Sequence, residues 1–157
     1  MQDIVRQIHK LLLKKDRTIA VAESCTGGLL STLLTEFSGS SLYFILGTVV
    51  YSNLVKHSLL KISQVAINRH GAVSKEIAKK MAKSIRIIAK TDYGIGVTGI
   101  AGPTGGNAQK PVGTVFIAIA DKNKQICQRF LFKGNRDSIR KQAALKALQL
   151  LKKLIDS

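Results

Sequence analysis

Apolar positions recur with two different periods along the chain, and the alternation of these periods predicts the order of its elements. Ile4, Val5, Ile8, Leu11 and Leu12 repeat at helical spacing, so the sequence predicts an amphipathic helix over residues 4–13. Short apolar runs of strand length form the second pattern. They cover residues 18–22, 42–50, 93–98, 112–120 and 125–133. A polar turn at residues 121–124 joins the last two runs and indicates a hairpin.

Helical patterns occupy the intervals between these runs, at residues 26–37, 52–60, 63–69 and 137–155. A further helix begins after Ser74, a good N-cap, and is predicted to point Ile77, Ala78, Met81, Ile85 and Ile88 inward. The run at 42–50 is predicted to be a buried strand. Strands that alternate with helices and end in a hairpin predict an α/β fold. We expect a three-layer α/β/α single domain with a mixed β-sheet over residues 1–157.

Composition narrows the class of protein. A chain of 157 residues, 45% of them apolar, can bury roughly 70% of its extended-chain surface and needs no disulfides. Cys25 and Cys127 are far apart and form no CxxC motif, so we expect reduced thiols in a cytoplasmic protein. No apolar run is long enough to cross a membrane, and residues 1–15 lack the long apolar region and the cleavage site of a signal peptide. We therefore expect no signal peptide and no membrane partner. Two cysteines and three scattered histidines do not match a zinc site, so no metal or cofactor is expected.

The net charge of +16 is the one unusual property of the composition. It fits a solvated basic surface, an anionic substrate or a nucleic acid. The chain has no Trp and only 5% aromatic residues, which argues against stacking on single-stranded nucleic acid. Six basic residues lie on the outer face of the helix after Ser74, and no nucleic-acid motif is present. We therefore interpret most of the charge as solvated surface and consider a nucleic-acid partner unlikely.

The segment Ala22–Gly28 joins a strand to a helix, where ligands often bind in α/β proteins. Ser24 can act there as a nucleophile, with helix N–H groups holding an oxyanion, while Gly27 and Gly28 let a substrate approach the backbone. The structural alternative is a capped turn in which Ser24 or Thr26 is the N-cap. Cys25 is a second possible nucleophile, although a cysteine here is more often a small buried residue.

A second candidate, Tyr51–Lys56, follows the run at 42–50. Burial beside a strand end would lower the pKa of Lys56 and make its neutral amine available as a base, and Tyr51 could transfer a proton. The structural alternative is a Tyr that packs on the core and a solvated Lys. Further along the chain, Arg136 and Arg140 lie one turn apart and could hold a phosphate, or could pair with Asp137 and solvent.

A third candidate is the loop that begins at Thr98. Its glycines could surround an anion with N–H groups; they are Gly99, Gly102, Gly105 and Gly106. The structural alternative is a flexible surface loop. Gly94-x-Gly96-x-x-Gly99 matches a dinucleotide-binding fingerprint, but we reject this match because these glycines fall inside a predicted strand and no helix opens on them.

These segments together resemble the C-terminal domain of the CinA family. The matching blocks occur in family order over residues 3–154, at 22–28, 39–41, 49–56, 70–74, 98–106, 111–118 and 134–140. Stand-alone members of the family are nicotinamide-nucleotide amidases. The resemblance therefore implies hydrolysis of nicotinamide mononucleotide to nicotinate mononucleotide and ammonia through an acyl-enzyme.

The resemblance also implies roles for individual residues. Ser24 would be the nucleophile, Lys56 the general base and Tyr51 a proton relay, while Thr98 would contact the substrate or polarise its amide. We expect substrate contacts from the motif positions Thr26, Gly27, Gly28, Asn53, Thr98, Gly99, Gly102, Gly105, Gly106, Arg136 and Arg140.

Some features leave alternatives open. Residues 57–62 lack the Leu-Gly-Val ending often seen in the family, which predicts a local change in that turn. Longer members carry an N-terminal domain that acts on pyrophosphates, and the resemblance does not extend to that activity.

The alternatives to an amidase are a catalytically silent nucleotide-binding module and a competence-related or nucleic-acid-associated protein. We expect a homo-oligomer; the apolar stripe at residues 4–12 could mediate self-association or pack on its own sheet.

Overall fold

A five-stranded mixed β-sheet organises the chain, which the computed structural model describes over residues 1–157. The strands are β1 (Ile19–Glu23), β2 (Phe44–Val49), β3 (Tyr93–Gly99), β4 (Thr114–Ala120) and β5 (Gln125–Leu131). Their order in the sheet is β2-β1-β3-β4-β5. β1 is parallel to both of its neighbours, whereas β4 is antiparallel to β3 and β5. The predicted mixed sheet and terminal hairpin are therefore confirmed.

Helices cover both faces of this sheet, which confirms the predicted three-layer α/β/α class. They are α1 (Gln2–Lys15), α2 (Leu29–Leu34), α3 (Asn53–Leu60), α4 (Gln64–His70), α5 (Lys75–Ala89) and α6 (Arg136–Asp156). Helices α1, α2 and α6 lie on one face, and α3, α4 and α5 lie on the other. None of the helices is both long and apolar enough to span a bilayer.

The larger core lies between the sheet and helices α1 and α6. Val5, Ile8 and Leu12 of α1 are fully buried against it. Each such side chain contributes roughly 1.5–3 kcal/mol of transfer free energy to folding. The apolar stripe of α1 therefore packs within its own chain, which was one of the two outcomes the sequence allowed.

Helix α5 approaches β3 unusually closely because two glycines of that strand lie beneath it. A Cβ on Gly94 would lie 2.2 Å from the carbonyl oxygen of Ala82, and one on Gly96 would lie 2.5 Å from that of Ala78. Both glycines are inside β3, as expected when the dinucleotide fingerprint was rejected. Their role is to bring helix and strand together rather than to bind a phosphate.

Three local predictions were wrong. The strand predicted as buried at 42–50 is the edge strand β2, and Ile45 is 49% exposed because nothing pairs beyond it and α2 is too short to cover it. Helix α2 begins only at Leu29, since Gly27 and Gly28 have left-handed φ values of 60° and 96°. Ile88 is 45% exposed because Ala89 occupies the inward position of the last turn of α5.

The close approach of α5 to β3 yields a stability prediction. Gly96→Ala places a Cβ against the helix backbone, which cannot move without separating the two elements. We expect the free energy of unfolding to fall by about 3 kcal/mol or more in urea denaturation. Gly39→Ala is the matched control, because nothing lies within 4 Å of its Cβ and only its positive φ opposes the change. That variant should lose about 1–2 kcal/mol; equal losses at both positions would contradict the close-packing argument.

Candidate active site

The candidate site lies where the carboxyl ends of the parallel strands β1, β2 and β3 meet. The turn after β1 is held between its two neighbours by main-chain hydrogen bonds. Ser24 N–H donates to the carbonyl of Val97 at 2.9 Å, and Val50 N–H donates to the carbonyl of Glu23 at 2.8 Å. Ser24 therefore has a defined position at the sheet edge where α/β proteins bind ligands.

Glu23 is the residue that organises this turn, and the sequence analysis did not identify it. Its side chain is completely buried, and its carboxylate accepts hydrogen bonds from the N–H groups of Gly28, Leu30 and Ser31 at 2.8–3.1 Å and from the Ser31 hydroxyl at 2.7 Å. An anion at this position satisfies the free amides of the helix and opposes its dipole. Glu23 therefore caps α2, whereas the structural alternative considered for this turn had Ser24 or Thr26 as the cap. An acidic residue six positions before the first residue of α2 was the available signal.

This cap changes the hypothesis for the oxyanion site. The amides at the start of α2, which were expected to hold an oxyanion, are already occupied by Glu23. The amides of Cys25 and Thr26 donate to no other residue of the chain. They lie directly after Ser24, in the position from which main-chain donors act in many serine hydrolases. The main-chain N–H groups available to an oxyanion are therefore those of Cys25 and Thr26, which come before the first residue of α2.

Lys56 lies against Ser24 although the two residues are far apart in sequence. Ser52 caps α3 by accepting from Val55 N–H at 3.2 Å, and Lys56 follows one turn later. The side chain is only 1% exposed, and its Nζ lies 3.3 Å from Ser24 Oγ. It also donates to the main-chain carbonyls of Val50 at 2.8 Å and Tyr51 at 3.1 Å.

The surroundings of Lys56 favour the neutral amine. Burial lowers its pKa below the ordinary lysine value because desolvation penalises the charged form. Lys56 Nζ has three polar neighbours, the carbonyls of Val50 and Tyr51 and the Ser24 hydroxyl oxygen, to which it donates. When the amine is neutral, its two N–H groups can stay on the carbonyls and its lone pair is available to the Ser24 hydroxyl. This arrangement can accept the hydroxyl proton and increase the nucleophilicity of Ser24 Oγ.

Burial has a different consequence for Cys25. Its side chain packs in the apolar core on the α6 side of the sheet. Burial raises the pKa of the thiol to about 12, so it stays protonated and poorly nucleophilic at neutral pH. Of the two candidate nucleophiles in this turn, the geometry therefore favours Ser24.

Tyr51 contacts Lys56 only through its main chain. Its ring is 58% exposed, and its hydroxyl accepts a hydrogen bond from Arg136 Nη2 at 2.8 Å. The hydroxyl makes no hydrogen bond to Ser24 or Lys56. A proton relay through Tyr51 would therefore require its ring to turn away from Arg136.

The two arginines at the start of α6 connect the candidate segments. Arg136 Nη1 donates to the carbonyl of Gly102 at 2.7 Å, which ties the glycine loop to Tyr51. Arg140 Nη2 donates to the carbonyl of Thr26 at 2.9 Å. It also lies close to Gly27, since a Cβ added to this glycine would be 3.1 Å from Nη2. Neither pairs with an acidic residue, because Asp137 pairs with Lys141 at 2.7 Å. Both guanidinium groups therefore keep free N–H donors beside the site.

Other predicted site residues occupy different positions. Thr98 is buried and donates to the carbonyl of Ala72 at 2.9 Å, so its hydroxyl is already used in the fold. Gly99 pairs with Val115 inside the sheet, and Thr26 is buried with its hydroxyl unpartnered. Asn53, Gly105 and Gly106 are exposed around the site. No cluster of three or more His, Cys, Asp or Glu side chains is arranged to hold a metal ion.

Comparison with known proteins shows that the sequence of this chain matches one protein family. The model described as the CinA C-terminal domain matches residues 1–155. A protein of Caldanaerobacter subterraneus named "putative competence-damage inducible protein" is 44% identical over 156 residues, which is 99% of this chain and 37% of that protein. A "CinA-like protein" of Syntrophus aciditrophicus is 47% identical over 149 residues, 94% of this chain and 36% of that protein. The chain thus spans little more than a third of the length of these relatives.

Solved structures match over nearly the whole chain. A competence/damage inducible protein from Agrobacterium tumefaciens has a TM-score of 0.95 and 33% identity, covering 99% of this chain and 95% of its own. A CinA superfamily protein from Klebsiella pneumoniae has a TM-score of 0.95 and 28% identity, covering 99% and 97%. The architecture described above is therefore that of a whole known domain.

The cap formed by Glu23 yields a prediction that does not depend on any activity. Glu23→Gln replaces one acceptor oxygen with an NH₂ group that cannot accept from Ser31 or the α2 amides. We expect the free energy of unfolding to fall by about 2–3 kcal/mol, with faster hydrogen exchange at Gly28, Leu30 and Ser31. Glu36→Gln makes the same chemical change at an exposed site just beyond α2 and should stay within about 0.5 kcal/mol of the wild type. Equal effects of the two changes would show that Glu23 does not hold the turn.

Proposed function

Because the chain belongs to the CinA C-terminal domain family, we propose that it is an amidohydrolase that converts nicotinamide mononucleotide and water to nicotinate mononucleotide and ammonia. The substrate in this proposal comes from the family resemblance. The chemistry is supported mainly by one observation, the buried Lys56 amine 3.3 Å from the hydroxyl of Ser24. A lysine that serves as the base for a serine nucleophile is an established variant of the Ser–His–Asp arrangement.

Acylation begins with attack by Ser24 Oγ on the carboxamide carbon. The hydroxyl proton moves to Lys56 Nζ, whose two remaining N–H groups stay on the carbonyls of Val50 and Tyr51. The negative charge that develops on the carboxamide oxygen requires nearby donors. The unpaired amides of Cys25 and Thr26 supply them in this proposal, since the amides of α2 are committed to Glu23.

The tetrahedral intermediate then breaks the C–N bond. Lys56 returns its proton to the leaving nitrogen, so ammonia departs and an ester between Ser24 and the nicotinate carboxyl remains. A water molecule takes the place of ammonia, loses a proton to the neutral Lys56 and attacks the ester carbon. Collapse of this second intermediate releases the carboxylate and restores the Ser24 hydroxyl. Lys56 serves as base and acid in both halves, so Tyr51 need not transfer a proton.

Arg136 and Arg140 have the chemistry required to hold the anionic end of the substrate. Nicotinamide mononucleotide carries a phosphate, and both guanidinium groups have free donors and no acidic partner. Arg136 also donates hydrogen bonds to the Tyr51 hydroxyl and to the Gly102 carbonyl. In this proposal the arginines orient the nucleotide while Ser24 and Lys56 act on its carboxamide.

The nucleophile is tested by Ser24→Ala. Removing Oγ should lower the rate of ammonia release from nicotinamide mononucleotide by at least about 10³-fold, because the acyl-enzyme cannot form. Thermal unfolding should be nearly unchanged. Cys25→Ala is the matched control at the adjacent residue and should retain turnover within a few-fold. Loss of turnover in Cys25→Ala with wild-type turnover in Ser24→Ala would exclude this mechanism, and absence of ammonia release by the wild type would favour a silent binding module.

The role of Lys56 predicts a pH dependence. Only the neutral amine can accept the Ser24 proton, so kcat/KM should rise with pH through the pKa of Lys56 and then level off. Because burial lowers this pKa, the midpoint should lie below that of an ordinary lysine. The measurement is the pH profile of ammonia release. A rate that still increases at the pH where ordinary lysines titrate would contradict the assignment.

The same pKa shift has a consequence for stability that is independent of activity. Between the lowered pKa of folded Lys56 and its ordinary value, the unfolded chain binds more protons than the folded one. The free energy of unfolding of the wild type, measured relative to Lys56→Met, should therefore increase with pH across this window. A difference that does not vary with pH would show that Lys56 titrates normally in the folded protein.

A further inference from the structure

A second cleft lies at the end of the sheet opposite Ser24. It has a volume of about 320 Å³ and is formed by the segments that lead into β1 and β3, the last turn of α5 and the turn between β4 and β5. Its charged and aromatic lining consists of Arg17, Arg86, Asp92, Tyr93, Asp121 and Lys122. Strand β3 separates the two sites by seven residues, or about 20 Å. The cleft therefore cannot be part of the Ser24 site.

Arg86 is one of two cations in this cleft that form no salt bridge. Its Nε is buried and has no hydrogen-bond partner, and its Nη1 makes one long contact of 3.4 Å with the carbonyl of Thr91. Lys122 likewise has no acidic partner, whereas Arg17 pairs with Asp92 at 2.9 Å. A guanidinium group has five N–H donors, so most of those on Arg86 remain available.

The two carboxylates that line the cleft are already used within the fold. Asp92 accepts from Arg17 and from both the N–H and the hydroxyl of Thr18 at 2.9–3.0 Å. Asp121 accepts from the amides of Asn123 and Lys124 at 2.6 Å, which closes the turn between β4 and β5. Neither carboxylate forms a salt bridge with Arg86, and the lining carries three cationic side chains against two carboxylates.

We propose that this cleft binds a phosphoryl anion, such as a phosphate monoester or a diphosphate, on Arg86. The planar guanidinium group can donate two parallel hydrogen bonds to phosphate oxygens, and Lys122 on the exposed turn adds a second charge. A smaller concavity of about 190 Å³ on the other side of Arg86 is bordered by Lys83 and Lys124. The anion therefore enters a region that is basic on both sides, and its binding does not depend on the activity proposed for Ser24.

The test is an NMR titration of the ¹⁵N-labelled chain with inorganic pyrophosphate at constant ionic strength. We expect saturable shifts of the amides at residues 91–93 and 121–123. Arg86→Met should raise the dissociation constant roughly tenfold or more. Arg69→Met removes the same charge from an exposed position on α4 outside the cleft and should leave binding unchanged. Lys122→Met, on the exposed turn, provides a second variant that does not disturb the packing of α5 and should also weaken binding.

The outcomes are distinguishable. Absence of saturation, shifts confined to residues 24–28 and 99–113, or equal binding by wild type, Arg86→Met and Lys122→Met would each overturn the proposal. A parallel titration with adenosine 5′-monophosphate identifies the source of the phosphoryl group. Tighter binding with added shifts at Tyr93 would indicate a nucleotide, whereas tighter binding of pyrophosphate would indicate a free phosphoanion; either order supports the assigned chemistry. Ser24→Ala should bind pyrophosphate in this cleft as the wild type does, which separates this proposal from the amidase.

Discussion

The buried carboxylate of Glu23 is the interaction on which the candidate site depends. A charge without solvent is costly unless it is fully hydrogen-bonded, and here three main-chain amides and one hydroxyl satisfy it. The same contacts supply the cap that the short helix α2 lacks, since Gly28 has no side chain to provide one. The turn at Ser24–Gly27 is thereby held at the edge of the sheet. Its two remaining amides, at Cys25 and Thr26, are left free.

Lys56 is another buried ionisable residue of the site. Its burial makes the charged form less favourable. Glu23 accepts hydrogen bonds from four donors, whereas Lys56 finds only two main-chain carbonyls and the Ser24 hydroxyl. Desolvation is then the largest influence on the Lys56 pKa, which is lowered. The fold thus places the Glu23 carboxylate against the amides of α2 and the Lys56 amine against the Ser24 hydroxyl. The mechanism proposed for Ser24 uses the neutral form of this amine, and burial of Lys56 costs some stability.

Much of the fold was predictable because local physics determines it. The helical stripe of α1, the cap at Ser74 and the β4–β5 hairpin all arise from residues near one another in sequence. The errors have a common origin. Whether β2 is buried depends on whether another strand or a longer helix lies beside it, and whether Ile88 faces inward depends on where α5 leaves the sheet. An apolar pattern in the sequence does not show which strand or helix will pack beside it.

For the site, the sequence determined which residue types are available and on which strand ends they lie. It could place Ser24, Tyr51, Lys56, Arg136 and Arg140 after β1, after β2 and at the start of α6. Only the tertiary structure decided how these groups meet, because their contacts join segments 32 to 114 residues apart. It paired Lys56 with Ser24, Tyr51 with Arg136 and Arg140 with the turn at Ser24–Gly27, and it assigned the capping role to Glu23. Burial and hydrogen-bond competition are set by these distant contacts, and they determine the chemistry of each side chain.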